Sequence, residues 1–207
     1  MGLFTTIRIL KVKEYKMKYT LNFRLWHWLN AVVVLGLLGT VFLRKTFLSW
    51  RTNSEILITQ LSEMGIEITE AQAKILAKAI RAGMWEWHII LGYALAFLIV
   101  YRLYIFFTDK SESDSFSSLS LHKKAVKISY YVVYATLLFM SVSGLTIHFY
   151  ELLNISKDFA HDIKDIHELV FNVLMIWVPL HIAGVVVADV KDENGLISTM
   201  INGKKAL

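Results

Sequence analysis

The chain has 207 residues, 56% hydrophobic and 19% charged, with a formal net charge of +5, one Pro and no Cys. A soluble domain is typically about 45–50% apolar and about 25% charged, so this composition excludes disorder, a collagen-like repeat and a disulfide-stapled secreted domain. The lack of Cys also excludes covalent c-type haem, thiolate-ligated iron–sulfur clusters, zinc ribbons and thiol catalysis in this chain. What remains is an integral membrane protein whose polar chemistry comes from His and carboxylates.

Four apolar runs approach the ~20 residues that cross a bilayer core as helix. The first spans about 25–43, between Arg24 and Arg44-Lys45. The second spans about 87–107, interrupted only by His88 and Arg102. The third spans about 128–147, after the basic cluster Lys123, Lys124 and Lys127, and the fourth about 169–188, ending at Asp189. Three of them carry Trp or Tyr near an end, as interfacial belts do. The expected fold is all-α: one domain over 1–207, an integral membrane four-helix bundle in contact with lipid, with no nucleic-acid partner.

The N-terminal Met1-Gly2 and Thr6 match a myristoylation pattern, which a four-span protein does not need as an anchor. The first run is too long for a signal peptide and lacks a small-residue cleavage site, so it is expected to be retained. The first outer loop, about 45–86, contains Thr52 with Glu55 and Thr69 with Gln72, both at capping-box spacing. Ile56, Leu57, Gln60, Leu61 and Met64, then Leu76, Ala79 and Ile80, recur at helical spacing. These features predict a helical hairpin over the outer face, either a cap or a docking platform. Residues 111–120 are Ser-rich and acidic and read as a flexible linker. Fourteen of the 22 Lys and Arg fall on the side of the N-terminus, which places both termini in the cytoplasm by the positive-inside rule.

The chain has seven His, and such side chains inside a span are costly and mark function. His27, His88, His148, His167 and His181 lie in or at the ends of spans; His122 and His161 lie in loops. His167 and His181 are 14 residues apart, which on a helix is a rotation of about −40° and a rise of about 21 Å. They therefore face one way, one near each membrane surface. Alternating helix direction brings His27 level with His181 and His88 level with His167. Bis-His ligation without Cys gives two haem b groups held between facing helices. Taken singly, each His could equally be a packed or interfacial residue. His148 also reaches the outer surface and could substitute for His88 or His167, or serve a hydrogen-bonding or quinone-site role.

Gly36, Gly39, Gly92, Gly144 and Gly184 could give a porphyrin flat space or allow close helix packing. Pro179 is expected to kink the fourth span. Haem carboxylates need cations, for which Arg24 is the inner candidate and Arg81 an outer one. Trp26, Trp28, Trp85 and Trp87 read as belt residues rather than electron relays.

Arg24-Leu-Trp-His27-Trp-Leu-Asn30 resembles the first-helix signature of the bacterial cytochrome b561 and nickel–iron hydrogenase b-type cytochrome family. His88-Ile-Ile-Leu-Gly92-Tyr resembles its second-helix motif, Ser143-Gly144-Leu145 its third-helix end, and His167 with His181-Ile-Ala-Gly184 its fourth-helix ligand pair. Met200-Ile-Asn-Gly203-Lys-Lys resembles the ending of one branch. The resemblance covers the chain from about residue 20 and implies a dihaem membrane cytochrome b domain that exchanges electrons with quinone. Members of the family serve as subunits of hydrogenase or formate dehydrogenase, as partners of c-type cytochromes, or as stand-alone oxidases of superoxide.

The function that follows is electron transfer in the bacterial inner membrane between a periplasmic redox partner and quinone, through the haem of His88 and His167 and that of His27 and His181. A stand-alone superoxide:quinone oxidoreductase is the alternative within the fold; Lys74, Lys78 and Arg81 could supply its positive outer surface. A His-based metal-ion transporter or metal-binding membrane protein is the rival from another class. It would need carboxylates within the spans, whereas Glu168 and Asp189 sit at the ends of the fourth. A purely structural assembly subunit would keep its cofactor content when the His are replaced.

Overall fold

The computed structural model describes residues 19–108, 117, 120–191 and 195–203. The Met1-Gly2 pattern and most of the Ser-rich segment lie outside them. The described chain is built of α1 (Leu21–Lys45), α2 (Trp50–Glu63), α3 (Glu70–Ile80), α4 (Ala82–Thr108), α5 (Leu121–His148), α6 (Lys157–Lys191) and α7 (Leu196–Asn202). The four expected spans lie inside α1, α4, α5 and α6, each long and apolar enough to cross a membrane. All four extend beyond their apolar runs.

Local chemistry sets the helix ends. The Thr20 hydroxyl accepts from Phe23 N to start α1, and the Ser120 hydroxyl accepts from Lys123 N to start α5. Thr69 and Gln72 form the predicted capping box of α3. Thr52 forms none: α2 begins two residues earlier, after Ser49, and Thr52 lies inside the helix. Gly65, at φ 77°, closes α2, with Ile66 N donating to Leu61 O and Gly65 N to Ser62 O. This is the paired closure that a left-handed residue permits.

Contacts across the bundle define an up-and-down order. Trp26 Nε1, at the start of α1, donates to Leu98 O in the second half of α4 (2.8 Å). Arg102 Nη2, late in α4, reaches the Tyr134 hydroxyl in the middle of α5 (3.5 Å). Ser143, late in α5, meets His167 early in α6. α1 packs on α4, α4 on α5, and α5 on α6.

Two small clusters form the interior: Val34, Leu95, Ile99 and Leu137, and Trp26, Leu98 and Ile105. Trp26 is only 2% exposed, so it is a core residue and not an interfacial one. Its indole can be buried because its N–H has a carbonyl partner. Val32, Phe97, Val142 and Ile176 are each more than half exposed, while Arg24, Thr40, Ser141 and Ser143 are buried. Apolar outside and polar inside is the order that lipid imposes. α6 continues through Pro179.

The hairpin forms, but its interior differs from the periodic reading. α2 packs on α3, and the buried residues are Ser54, Ala73 and Ala77, with both alanines fully buried. Leu76 and Ile80 are exposed. Small side chains let two short helices approach closely, which turns the larger apolar residues outward.

The glycines divide by role. A Cβ on Gly36 would lie 3.0 Å from Leu91 Cδ1, so Gly36 sets the close approach of α1 to α4. A Cβ on Gly39 would meet nothing within 4 Å. Gly36→Ile is therefore expected to cost about 1–3 kcal/mol through overpacking, and Gly39→Ala to be neutral or mildly stabilising. Thermal unfolding of the detergent-purified variants checks both.

Candidate functional site

The bundle places the four predicted His as two pairs, one at each end. His27, two turns into α1, faces His181, with ring centroids 6.4 Å apart and ring planes inclined at 60°. The Trp177 indole stacks on His181 at 4.8 Å and 11°, and Trp28 meets His27 edge-on.

At the other end, His88 on α4 and His167 on α6 line one cavity of about 240 Å³ between α1, α4, α5 and α6. The Trp85 indole stacks on His88 at 5.0 Å and 7°, and the Arg44 guanidinium lies over Trp85 at 5.6 Å. Trp85 therefore supports a site residue as well as lying at the surface.

Each imidazole of this second pair is held by a hydroxyl. Thr40 Oγ1 donates to Leu37 O (2.7 Å) and lies 2.7 Å from His88 Nδ1. Ser143 Oγ donates to Phe139 O (2.7 Å) and lies 2.8 Å from His167 Nδ1. A hydroxyl has one proton. With that proton on its own helix's carbonyl, it can only accept from the imidazole. In that arrangement His88 and His167 carry the proton on Nδ1 and leave the Nε2 lone pair free, the form in which His ligates a metal.

The surroundings leave room beside the imidazoles. A Cβ on Gly92 or on Gly184 would meet nothing within 4 Å, and Gly144 passes the His167 ring closely, with 3.5 Å from its hypothetical Cβ to Cε1. Arg44, Lys45 and Lys164 line the cavity. Arg44 and Lys164 share Glu168, at 3.4 and 3.1 Å. Arg81, the other predicted cation, caps α3 and is not among the cavity-lining residues. Arg24 is buried; its Nη1 donates to Ile201 O (3.0 Å) and its Nε is buried without a hydrogen-bond partner. His148 lines the same cavity, edge-on to Tyr93.

The family model for prokaryotic cytochrome b561 matches residues 18–203. The chain belongs to this family. Comparison with curated proteins and with solved structures found no match. The protein is thus a multi-pass membrane b-type cytochrome, a haem protein of electron transfer.

The residues present fit a b haem. His27 and His181, with ring centroids 6.4 Å apart, would be spaced to hold an iron between them. The orphaned Nε of Arg24 suits a carboxylate oxygen, and the open faces of Gly92 and Gly184 suit a flat ring.

The hydroxyl anchors were not singled out from sequence as partners of the imidazoles. A signal existed, because Thr40 is a rare polar residue in the first span and lies 13 residues after His27, or about 20 Å along a helix. That puts it at the depth of His88. Nitrogen NMR of isotope-labelled His in haem-free protein is expected to show His88 and His167 protonated at Nδ1. Thr40→Val or Ser143→Ala should convert the matching ring to a tautomer mixture. Nε2 protonation in the parent would contradict the anchoring.

Proposed function

We propose that this cytochrome carries two b haems, one between His27 and His181 and one between His88 and His167. It passes electrons across the bacterial inner membrane, with both termini cytoplasmic, between a periplasmic redox protein and the quinone pool. The observation that carries the reading is the presence of two His sets at opposite ends of one apolar bundle: His181 of α6 beside His27, and His167 of α6 lining one cavity with His88.

Bound haem supplies one-electron exchange at its iron. The chain supplies the rest. His27, His88, His167 and His181 offer ring nitrogens, and the Thr40 and Ser143 hydroxyls hold Nδ1 of two of them at 2.7 and 2.8 Å. Trp85 and Trp177 lie flat against one ring of each pair and restrict its rotation. Arg24 at one end, and Arg44, Lys45 and Lys164 at the other, give cationic partners for carboxylates. The lipid-facing residues keep water away, which strengthens each of these interactions.

The partner at the hairpin end is a c-type cytochrome or a hydrogenase or dehydrogenase subunit, as in the family. The cation-transport reading lacks a coordination shell: among the described residues, no three His, Asp or Glu gather around a common point.

Haem per polypeptide, read by pyridine haemochrome together with a reduced-minus-oxidised spectrum, is expected to be near two. His181→Ala and His88→Ala should each remove one site and leave about half the haem. Full haem content in both variants would overturn the pairing, and one haem per parent chain would make His148 the first residue to test.

A further inference from the structure

α1 and α6 carry the facing residues His27 and His181, and at this end α7 joins them. α7 has seven residues, too few to be stable as an isolated helix. Gly195 at φ 87° and Gly203 at φ 79° bound it, conformations that favour glycine and let the chain reverse sharply.

Both ends of α7 are satisfied by other helices. Ile197 N, in its first turn, donates to Asp189 Oδ1 of α6 (2.9 Å). In its last turn, Ile201 O accepts from Arg24 Nη1 (3.0 Å) and Met200 O from Trp28 Nε1 (3.2 Å), both on α1. First-turn amides and last-turn carbonyls have no partner inside a helix, and a cation at the carbonyl end is further favoured by the helix dipole. Arg24 and Trp28 lie on the turn that carries His27, and Asp189 lies eight residues after His181. Thr199, between these ends, is buried.

At the opposite end, α1 meets α6 through the Arg44–Glu168 ion pair and Lys45 over the Phe171 ring. We propose that α7 is a strap that hydrogen-bonds α6 to α1 and thereby sets the spacing of His27 and His181. Trp28 and Asp189 act as positioning residues for that pair. The strap itself stands on the hydrogen bonds; its consequence for haem rests on the dihaem reading.

The cysteine-free chain makes the test direct. Spin labels on L25C and V187C, at exposed sites on α1 and α6, report the spacing at the His27 end by double electron–electron resonance in haem-free protein. Labels on F42C and V173C, also exposed, report the other end. In the parent, both distance distributions are expected to be narrow. In W28F/D189A, and in a chain stopped before Gly195, the first should broaden and lengthen by several ångström while the second stays unchanged.

In haem-loaded W28F/D189A, haem transfer from the His27 site to apomyoglobin should be about 10-fold faster, with the other site unaffected. An unchanged first distribution overturns the strap, and so does equal broadening at both ends, which would make α7 a general support. Broadening confined to the His27 end in a protein that binds no haem would uphold the strap and overturn the haem reading.

Discussion

An imidazole inside a bilayer has two nitrogens to account for and no water to do it. The arrangement at His88 and His167 meets that constraint with one proton rule. Thr40 and Ser143 donate to carbonyls of their own helices, so each hydroxyl has only lone pairs left for the ring. With the hydroxyl proton so placed, the ring donates from Nδ1 and the other nitrogen is left bare. A weakly polar hydroxyl thus fixes a tautomer without adding a charge, which hydrocarbon tolerates far better than the carboxylate often found behind metal-bound His.

Space for the site comes from unequal packing around the bundle. α1 approaches α4 closely at Gly36 and Leu91, and the interior clusters draw on α1, α4 and α5: Val34, Leu95, Ile99 and Leu137, with Trp26, Leu98 and Ile105. α6 contributes little to them beyond Val178 at the margin. Its buried positions are Ala160, Phe171 and Leu174, with His167 and His181 half-buried on the same helix, and a Cβ on its Gly184 would meet no neighbour. Three helices make the rigid wall, and the fourth carries one ligand candidate of each pair.

The chain was legible where one physical rule dominates. Run length located the spans, because crossing hydrocarbon demands about 20 apolar residues. The 14-residue interval between His167 and His181 set their common face, because helical rotation is regular. Pairing with His27 and His88 followed from alternating helix direction. Legibility failed where competing contacts decide. Trp26 reads as a belt residue, yet the Leu98 carbonyl lets it enter the core. Thr52 has the right spacing for a cap, yet α2 starts earlier. In the hairpin, Ala73 and Ala77 win the interface over Leu76 and Ile80, since the gain from close helix approach is not encoded in periodicity. Arg81 reads as an outer cation, yet it caps α3 and does not line the cavity.

The cations show how the bundle treats charge in a medium that cannot solvate it. Arg102, within a span, has no acidic partner among the described ion pairs; its guanidinium lies 4.9–5.4 Å from the ring centroids of Phe23, Trp26 and Tyr134. Aromatic faces stabilise a desolvated cation by about 2 kcal/mol or more and leave the net positive charge in place. Arg44 is instead balanced by Glu168, which it shares with Lys164. Arg24 donates to a helix carbonyl and has no acidic ion-pair partner among the described residues. Among the described residues, Arg24 and Arg102 at the His27 end therefore have no carboxylate ion-pair partner, whereas Arg44 and Lys164 at the cavity end share one. In a low dielectric the positive charge at the His27 end favours an anionic group beside it, and the buried Nε of Arg24, which has no hydrogen-bond partner, is a donor atom with which such a group can pair.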